Sequence, residues 1–148
     1  MPKTIKLISI FAVVELVLQG IWEYTACGLF YTMESQGFIE HQLLMIQATV
    51  GDVFIALGLF LILAFANHHS SWFLDKWERK DYLISLLYSV VIAFYFEAHA
   101  LHLDRWGYQQ GMPLIPGTSI ALIPVIQLAL LLPLGFLITK KIYQLKFT

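Results

Sequence analysis

The sequence predicts an all-α fold, a four-transmembrane-helix bundle that forms a single integral membrane domain over residues 1–148. Three observations predict it. Hydrophobic residues make up 59% of the chain and mean hydropathy is +0.73. The apolar residues fall into four runs of about 20, the length that crosses a bilayer core. Basic residues cluster in alternate connectors. A soluble domain of 148 residues has too little interior to hide so much apolar surface. The net charge of -1, and the absence of any basic patch interleaved with aromatics, exclude nucleic acid as a partner. A lone cysteine, Cys27, rules out an internal disulfide and argues against a thiolate metal site.

The first expected helix covers about residues 5–24. It is longer than the ~7–15 residues of a signal-peptide core, so it reads as a retained span. Glu15, Gln19 and Glu23 recur at i, i+4, i+8 and share one side, which should face the bundle, while Trp22 and Tyr24 suit the far interface. Glu15 then sits near mid-membrane, either as a hydrogen-bonded carboxyl or as a functional one. Thr25-Ala26-Cys27-Gly28 echoes a lipoprotein cleavage site, but Tyr24 stands where leucine is usual.

The connector to the second helix holds Glu34, Glu40 and His41 and no Lys or Arg. The second helix is expected over about residues 43–66. His41, Met45, Ala48 and Asp52 fall on one face if the helix starts before His41, with His41 and Asp52 ~16 Å apart, too far to be partners. Gly51 and Gly58 suit close helix packing. Residues 67–81 form a polar connector with Lys76, Arg79 and Lys80, in which Trp72, Phe73 and Trp77 suit the membrane interface and His68 and His69 suit solvent.

The third helix is expected over about residues 82–103, with Tyr88, Tyr95, His99 and His102 along one side. Pro113, Pro116 and Gly117 read as a rigid turn. The fourth helix follows over about residues 118–139. Pro124 and Pro133 lie within it as kink sites, and Gln127 is its one strong polar side chain. Of nine Lys and Arg, eight fall on one side of this topology and Arg105 alone on the other, so the N- and C-termini are expected to be cytoplasmic.

Polar residues concentrate where helix three ends. Glu97, His99, His102, Asp104 and Arg105 fall within nine residues of a chain only 13% charged. Each mid-bilayer charge costs roughly 2.5–3.5 kcal/mol, so a cluster retained there is expected to serve a purpose. In this topology Glu23, His41, Gln47, Asp52 and Tyr108 also fall in the outer half of the bilayer, and Gln127 reaches mid-depth. Polar groups from four helices meeting at one level predict a cavity in the bundle core.

The residue types fit acid/base chemistry. Glu97 is the candidate acid, His99 or His102 the candidate base, and Asp52 a second carboxylate. Arg105 is an anchor for a phosphate or carboxylate headgroup. Trp106, Tyr108, Glu23, His41 and Gln127 complete the expected substrate-binding set. A metal would draw on His99, His102, Glu97, His41 and Asp52, but five histidines are too few for a membrane di-iron site, and neither metal nor cofactor is expected. There is no serine-nucleophile motif, phosphate-cradling glycine loop or HExxH. The expected substrate is a membrane lipid or isoprenoid, handled by an isomerase, cyclase or hydratase type of enzyme. The alternatives are a non-enzymatic structural or assembly subunit and a small oligomeric transporter, for which a homodimer would supply volume.

The run Glu97, Ala100, Leu101, Arg105-Trp106-Gly107-Tyr108, Met112-Pro113, Ile115-Pro116-Gly117, followed by Pro124, Gln127 and Pro133, resembles a widespread family of small uncharacterised four-helix integral membrane proteins of bacteria. The likeness extends upstream through Trp22-Glu23 and Gly51-Asp52. It implies the topology and a bacterial inner (plasma) membrane, and no activity. The order of acidic residue, Arg-Trp-x-Tyr and proline-bearing helix is also distantly similar to the lycopene-cyclase type of membrane domain. That resemblance implies proton-initiated cyclisation or hydration of long isoprenoids, with Glu97 as the acid. Where that family's proline helix carries paired glutamates, Pro124-Val125-Ile126-Gln127 carries a glutamine.

Overall fold

A computed structural model describes residues 3–32 and 37–147. Four helices account for most of them: α1 (Lys3–Phe30), α2 (Phe38–Ala66), α3 (Arg79–His102) and α4 (Ile123–Phe147). At 24 to 29 residues each is long and apolar enough to cross a membrane. Large apolar side chains such as Val13, Ile21, Phe54, Leu61, Leu83, Val91, Leu130 and Leu137 point outward along all four, as in a bundle that meets lipid rather than water. The chain has the fold of an integral membrane protein, an all-α bundle as the sequence predicts.

α1 packs against α2 and α4, and α3 packs against α4, whereas α2 and α3 touch only slightly. The helices therefore run α2, α1, α4, α3 around an incompletely closed ring. One end of the bundle gathers both termini and the 67–78 connector. There Thr4 Oγ1 lies 2.8 Å from Ser70 Oγ, Lys6 Nζ sits 4.7 Å from the Phe147 ring centre, and Lys140 donates to the Asp75 carbonyl. At the opposite end β1 (Tyr31–Thr32) and β2 (Gly107–Tyr108) pair antiparallel, and the Gln109 N–H bonds to the Phe30 carbonyl.

The end with the termini is packed solid. Phe11, Phe60, Phe73 and Phe136 are fully buried, with Phe11 stacked on Phe136 at 4.2 Å between ring centres. Trp72 and Phe73, in a short 3₁₀ turn (Trp72–Leu74), do not lie in the interface as expected but fold under the bundle and are buried in it. The connector can do this because its backbone is tied locally. Asn67 Nδ2 donates to Asp81 at 2.7 Å, the other Asp81 oxygen caps the N–H of Glu78, and His68 takes the left-handed position just past the α2 C-terminus. His68 and His69 are exposed.

Helix limits differ from the expected ones in an instructive way. α1 runs on to Phe30 and α2 begins at Phe38, where Glu40 accepts from the N–H of Gly37. α4 begins five residues late, because Pro113–Leu122 fold as a hairpin-like turn with bonds Ile115 N to Ile120 O and Leu122 N to Pro113 O, both 2.8 Å. Pro124 thus falls in the first turn, where its missing N–H costs nothing, and only Pro133 is interior.

α3 turns toward the bundle on the stripe Asp81, Ser85, Ser89, Ala93, Glu97, spaced by four and mostly small. Its one close approach to α2 is where Tyr88 Oη donates to the Ile55 carbonyl at 2.8 Å. A β-carbon at Gly58 would come within 2.6 Å of that hydroxyl. Gly58→Ala should therefore lower the stability of the detergent-solubilised protein by about 1 kcal/mol. The Gly58→Ala, Tyr88→Phe pair should recover part of it in a double-mutant cycle of thermal unfolding, and strict additivity would mean the hydroxyl is not the obstacle.

Candidate functional site

One face of α1 carries the site's logic. Phe11, Glu15, Gln19, Glu23 and Cys27 follow one another at intervals of four, so the helix leads from the aromatic core, through polar groups, to a cavity at the strand-bearing end. Glu15 and Gln19 are wholly buried and joined by a bond from Gln19 Nε2 to Glu15 Oε2 of 3.0 Å. The Glu15 carboxyl occupies the space a β-carbon at Gly135 of α4 would fill.

Gln127 of α4 is the hub. Its Nε2 lies 3.0 Å from Gln19 Oε1, 2.9 Å from Glu23 Oε1 and 2.9 Å from Asp52 Oδ2, which joins α1, α2 and α4. An amide has two N–H groups and cannot donate to three acceptors at once. Glu23 and Asp52 both accept from this one amide, which brings the two carboxyls side by side.

Glu97 of α3 stands across the cavity and is held from outside the membrane span. Its Oε1 accepts from Trp106 Nε1 at 3.0 Å and from Tyr108 Oη at 2.8 Å, while Tyr108 Oη accepts from the Ala121 N–H at 3.1 Å. These two rings are positioned by a Schellman turn that ends α3, with Arg105 N bonded to Ala100 O and Asp104 N to Leu101 O, and by the β1–β2 pairing that follows. Burial pushes the Tyr108 phenol above its ordinary range, and it does the same to Tyr31, so Tyr108 stays a neutral donor.

The cavity has a volume of about 200 Å³. Glu23, Gln47, Asp52, Glu97, Arg105 and Gln127 are among its polar lining residues, and Cys27, Tyr31, Met45, Ile55, Phe96, Trp106 and Leu128 form much of the rest. Arg105 lies at its mouth, with the guanidinium 5.3 Å from the Trp106 ring centre, and also borders an outer vestibule formed with Glu40, Leu43, Gln47 and Asp104.

Of the residues singled out from the sequence, Glu23, Asp52, Glu97, Arg105, Trp106 and Gln127 thus surround one cavity, and Tyr108 joins them through Glu97. The histidines do not. His99 is exposed and stacks on Tyr95 with rings 6.1 Å apart and nearly parallel, His102 is exposed, and His41 is half-buried, none of them in the cavity wall. His99 follows Glu97 by two positions, about 200° around a helix, so they face opposite ways. Among the described residues no group of three or more His, Cys, Asp or Glu is arranged to hold a metal ion. Gln19, Cys27 and Tyr31 were not singled out as site residues. Continuing the Glu15, Gln19, Glu23 stripe by one step would have found Cys27, which is buried inside an unbroken α1.

Replacing Gln127 with Leu strips buried carboxyls of their donor, and should destabilise the protein by about 1–3 kcal/mol in detergent. His99→Ala and His102→Ala should each stay within about 0.5 kcal/mol of the parent. A thermal shift for His99→Ala as large as that for Gln127→Leu would place the imidazole in the network after all. Compared with protein-family models, curated proteins and solved structures, the chain matches none.

Proposed function

We propose that the protein is a cofactor-independent intramembrane enzyme that moves protons on a lipid or isoprenoid. The observation behind this reading is the meeting of Glu23, Asp52 and Gln127, from three helices, in one hydrogen-bonded cluster facing Glu97 of the fourth across a largely apolar cavity. Carboxyls grouped in an apolar site are a means of holding a transferable proton away from water.

In this reading a proton carried by the Glu23–Asp52 pair adds to one carbon of a substrate double bond and leaves positive charge on the other. A different proton then leaves the saturated carbon on the far side of that charged centre for Glu97, so the double bond shifts by one position and no oxidant or reductant is needed. Return of the proton from Glu97 to the Glu23–Asp52 pair restores the site. Trp106 and Tyr108 hold Glu97 in place, and the Tyr31, Phe96 and Trp106 rings line the same cavity, as groups suited to stabilising positive charge on a substrate. Water entering at the same stage would make the reaction a hydration. The resemblance to lycopene-cyclase-type domains places isoprenoids first among candidate substrates. The role of base, expected for His99 or His102, passes here to a carboxylate.

The cavity end faces away from the cytoplasm in this proposal, since Lys3, Lys6, Lys76, Arg79, Lys80, Lys140, Lys141 and Lys146 gather at the other end. A C-terminal green fluorescent fusion should then be bright and a C-terminal alkaline phosphatase fusion inactive in a bacterial host. The opposite pattern would invert the orientation.

The chemistry is tested by comparing lipid extracts, by mass spectrometry, of hosts carrying the parent, Asp52→Asn, Glu23→Gln, Glu97→Gln or a deletion. The deletion and the carboxyl variants should accumulate the same isoprenoid or lipid species and lack its isomer or hydrate. Extracts indistinguishable between deletion and parent would overturn the enzymatic reading in favour of a structural subunit.

A further inference from the structure

The way into the cavity is as informative as its contents. The ring of helices is weakest between α2 and α3. These two meet where Tyr88 Oη bonds to the Ile55 carbonyl beside Gly58, and the cavity lies beyond that point, toward the strand-bearing end. A β-carbon at Gly51 would have nothing within 4 Å, although Ala48, Gly51 and Asp52 on one side and Ala93, Phe96 and Glu97 on the other all line the cavity. Phe96 is 49% exposed and still forms part of the cavity wall, as a residue at the edge of an opening must. Val50 and Phe54, exposed on the same stretch of α2, are apolar and suit contact with acyl chains.

Size narrows the ligand. About 200 Å³ falls below the ~300–1,000 Å³ of pockets that engulf a drug-sized molecule. A long isoprenoid or a membrane lipid cannot be enclosed whole. One segment of it can, provided the remainder stays outside in a medium that solvates hydrocarbon.

We infer that the site takes a long-chain lipid sideways from the bilayer, through the split between α2 and α3, with only the reacting segment inside and the rest of the chain left among the membrane lipids. This deepens the acid–base reading and rests on it for the identity of the reacting segment, but the portal is tested independently of turnover. Gly51 is the gatepost, because a larger side chain there has room to form and would stand in the gap. The competing route is the outer vestibule of Glu40, Leu43, Gln47, Asp104 and Arg105, which would serve a water-soluble molecule.

The portal is tested with a nitroxide on Gly51→Cys, in a Cys27→Ala background, in phospholipid vesicles. Power saturation compares collision with oxygen, which concentrates in lipid, and with a water-soluble nickel chelate. Oxygen should dominate by several-fold at position 51. Dominance of the nickel chelate would overturn the inference in favour of the vestibule, and protection from both would show a closed gap. In the second arm Gly51→Phe should abolish the change in lipid extract that the parent produces, while Gly51→Ala keeps it and both retain the parent's thermal transition. Retention of full product by Gly51→Phe would also overturn the portal. If the acid–base reading alone fails, all extracts agree with the deletion while the oxygen preference at position 51 remains.

Discussion

The constraint from which the rest of the structure follows is that carboxyl groups within membrane-spanning helices cannot face acyl chains. Each must find a donor inside the bundle, and in lipid the penalty for failing is several kcal/mol per group. Glu15, Glu23, Asp52 and Glu97 all meet this requirement by turning inward, and three of them come within reach of a single amide or an amide's neighbour. Gln127 is neutral, so it can donate to carboxyls without the desolvation cost a lysine or arginine would bring. Because its partners come from α1 and α2, satisfying it also fixes how α4 is rotated against them. The polar cluster thus acts as a register for α1, α2 and α4, and Glu97 of α3 is held by the outer connector instead.

The bundle divides the two tasks of packing and chemistry between its ends. Packed aromatic rings from α1, α2, α4 and the 3₁₀ turn fill the core at the end with the termini. Cohesion concentrated there lets the helices diverge at the other end, where small residues such as Ala48, Gly51 and Ala93 stand where larger ones could have packed. An open cavity carries less contact energy than a filled core, since the side chains around it lack partner atoms on one side. The strand pair between Tyr31–Thr32 and Gly107–Tyr108 compensates by tying the open end across its top.

Much of this was legible in the residues. Four spans, their order, the inward face of Glu15, Gln19 and Glu23, and the convergence of Asp52, Glu97 and Gln127 all follow from helical periodicity and the cost of burying charge. The face of α3 was not. Tyr88, Tyr95, His99 and His102 form a conspicuous stripe, yet only Tyr88 reaches a neighbouring helix and α3 packs on Ser85, Ser89 and Ala93, because in a membrane the hydrophobic effect does not drive helices together and close approach of small residues does. Large aromatic and imidazole groups on the opposite side, near the helix end, suit the interfacial zone instead. Helix ends were legible only to within several residues. The late start of α4 depends on a turn closed by the bonds of Ile115 and Leu122, which are contacts between residues of no distinctive type.

The placement of Glu97 shows why its surroundings matter more than its neighbours in sequence. Its two donors, Trp106 and Tyr108, come from a connector that leaves the helix, turns back through left-handed Asp104, and pairs with residues that follow α1. Tyr108 therefore holds three things at once: the Glu97 carboxyl, the Ala121 amide at the approach to α4, and, through its backbone, the Tyr31 strand. A carboxyl gripped on one oxygen by two neutral donors is fixed in direction, and the Arg105 guanidinium lies beside the ring of one of those donors, Trp106. Both donors reach the same oxygen, Oε1, so the grip leaves Oε2 out of it, and the direction of the group is set by the connector and not by its own helix.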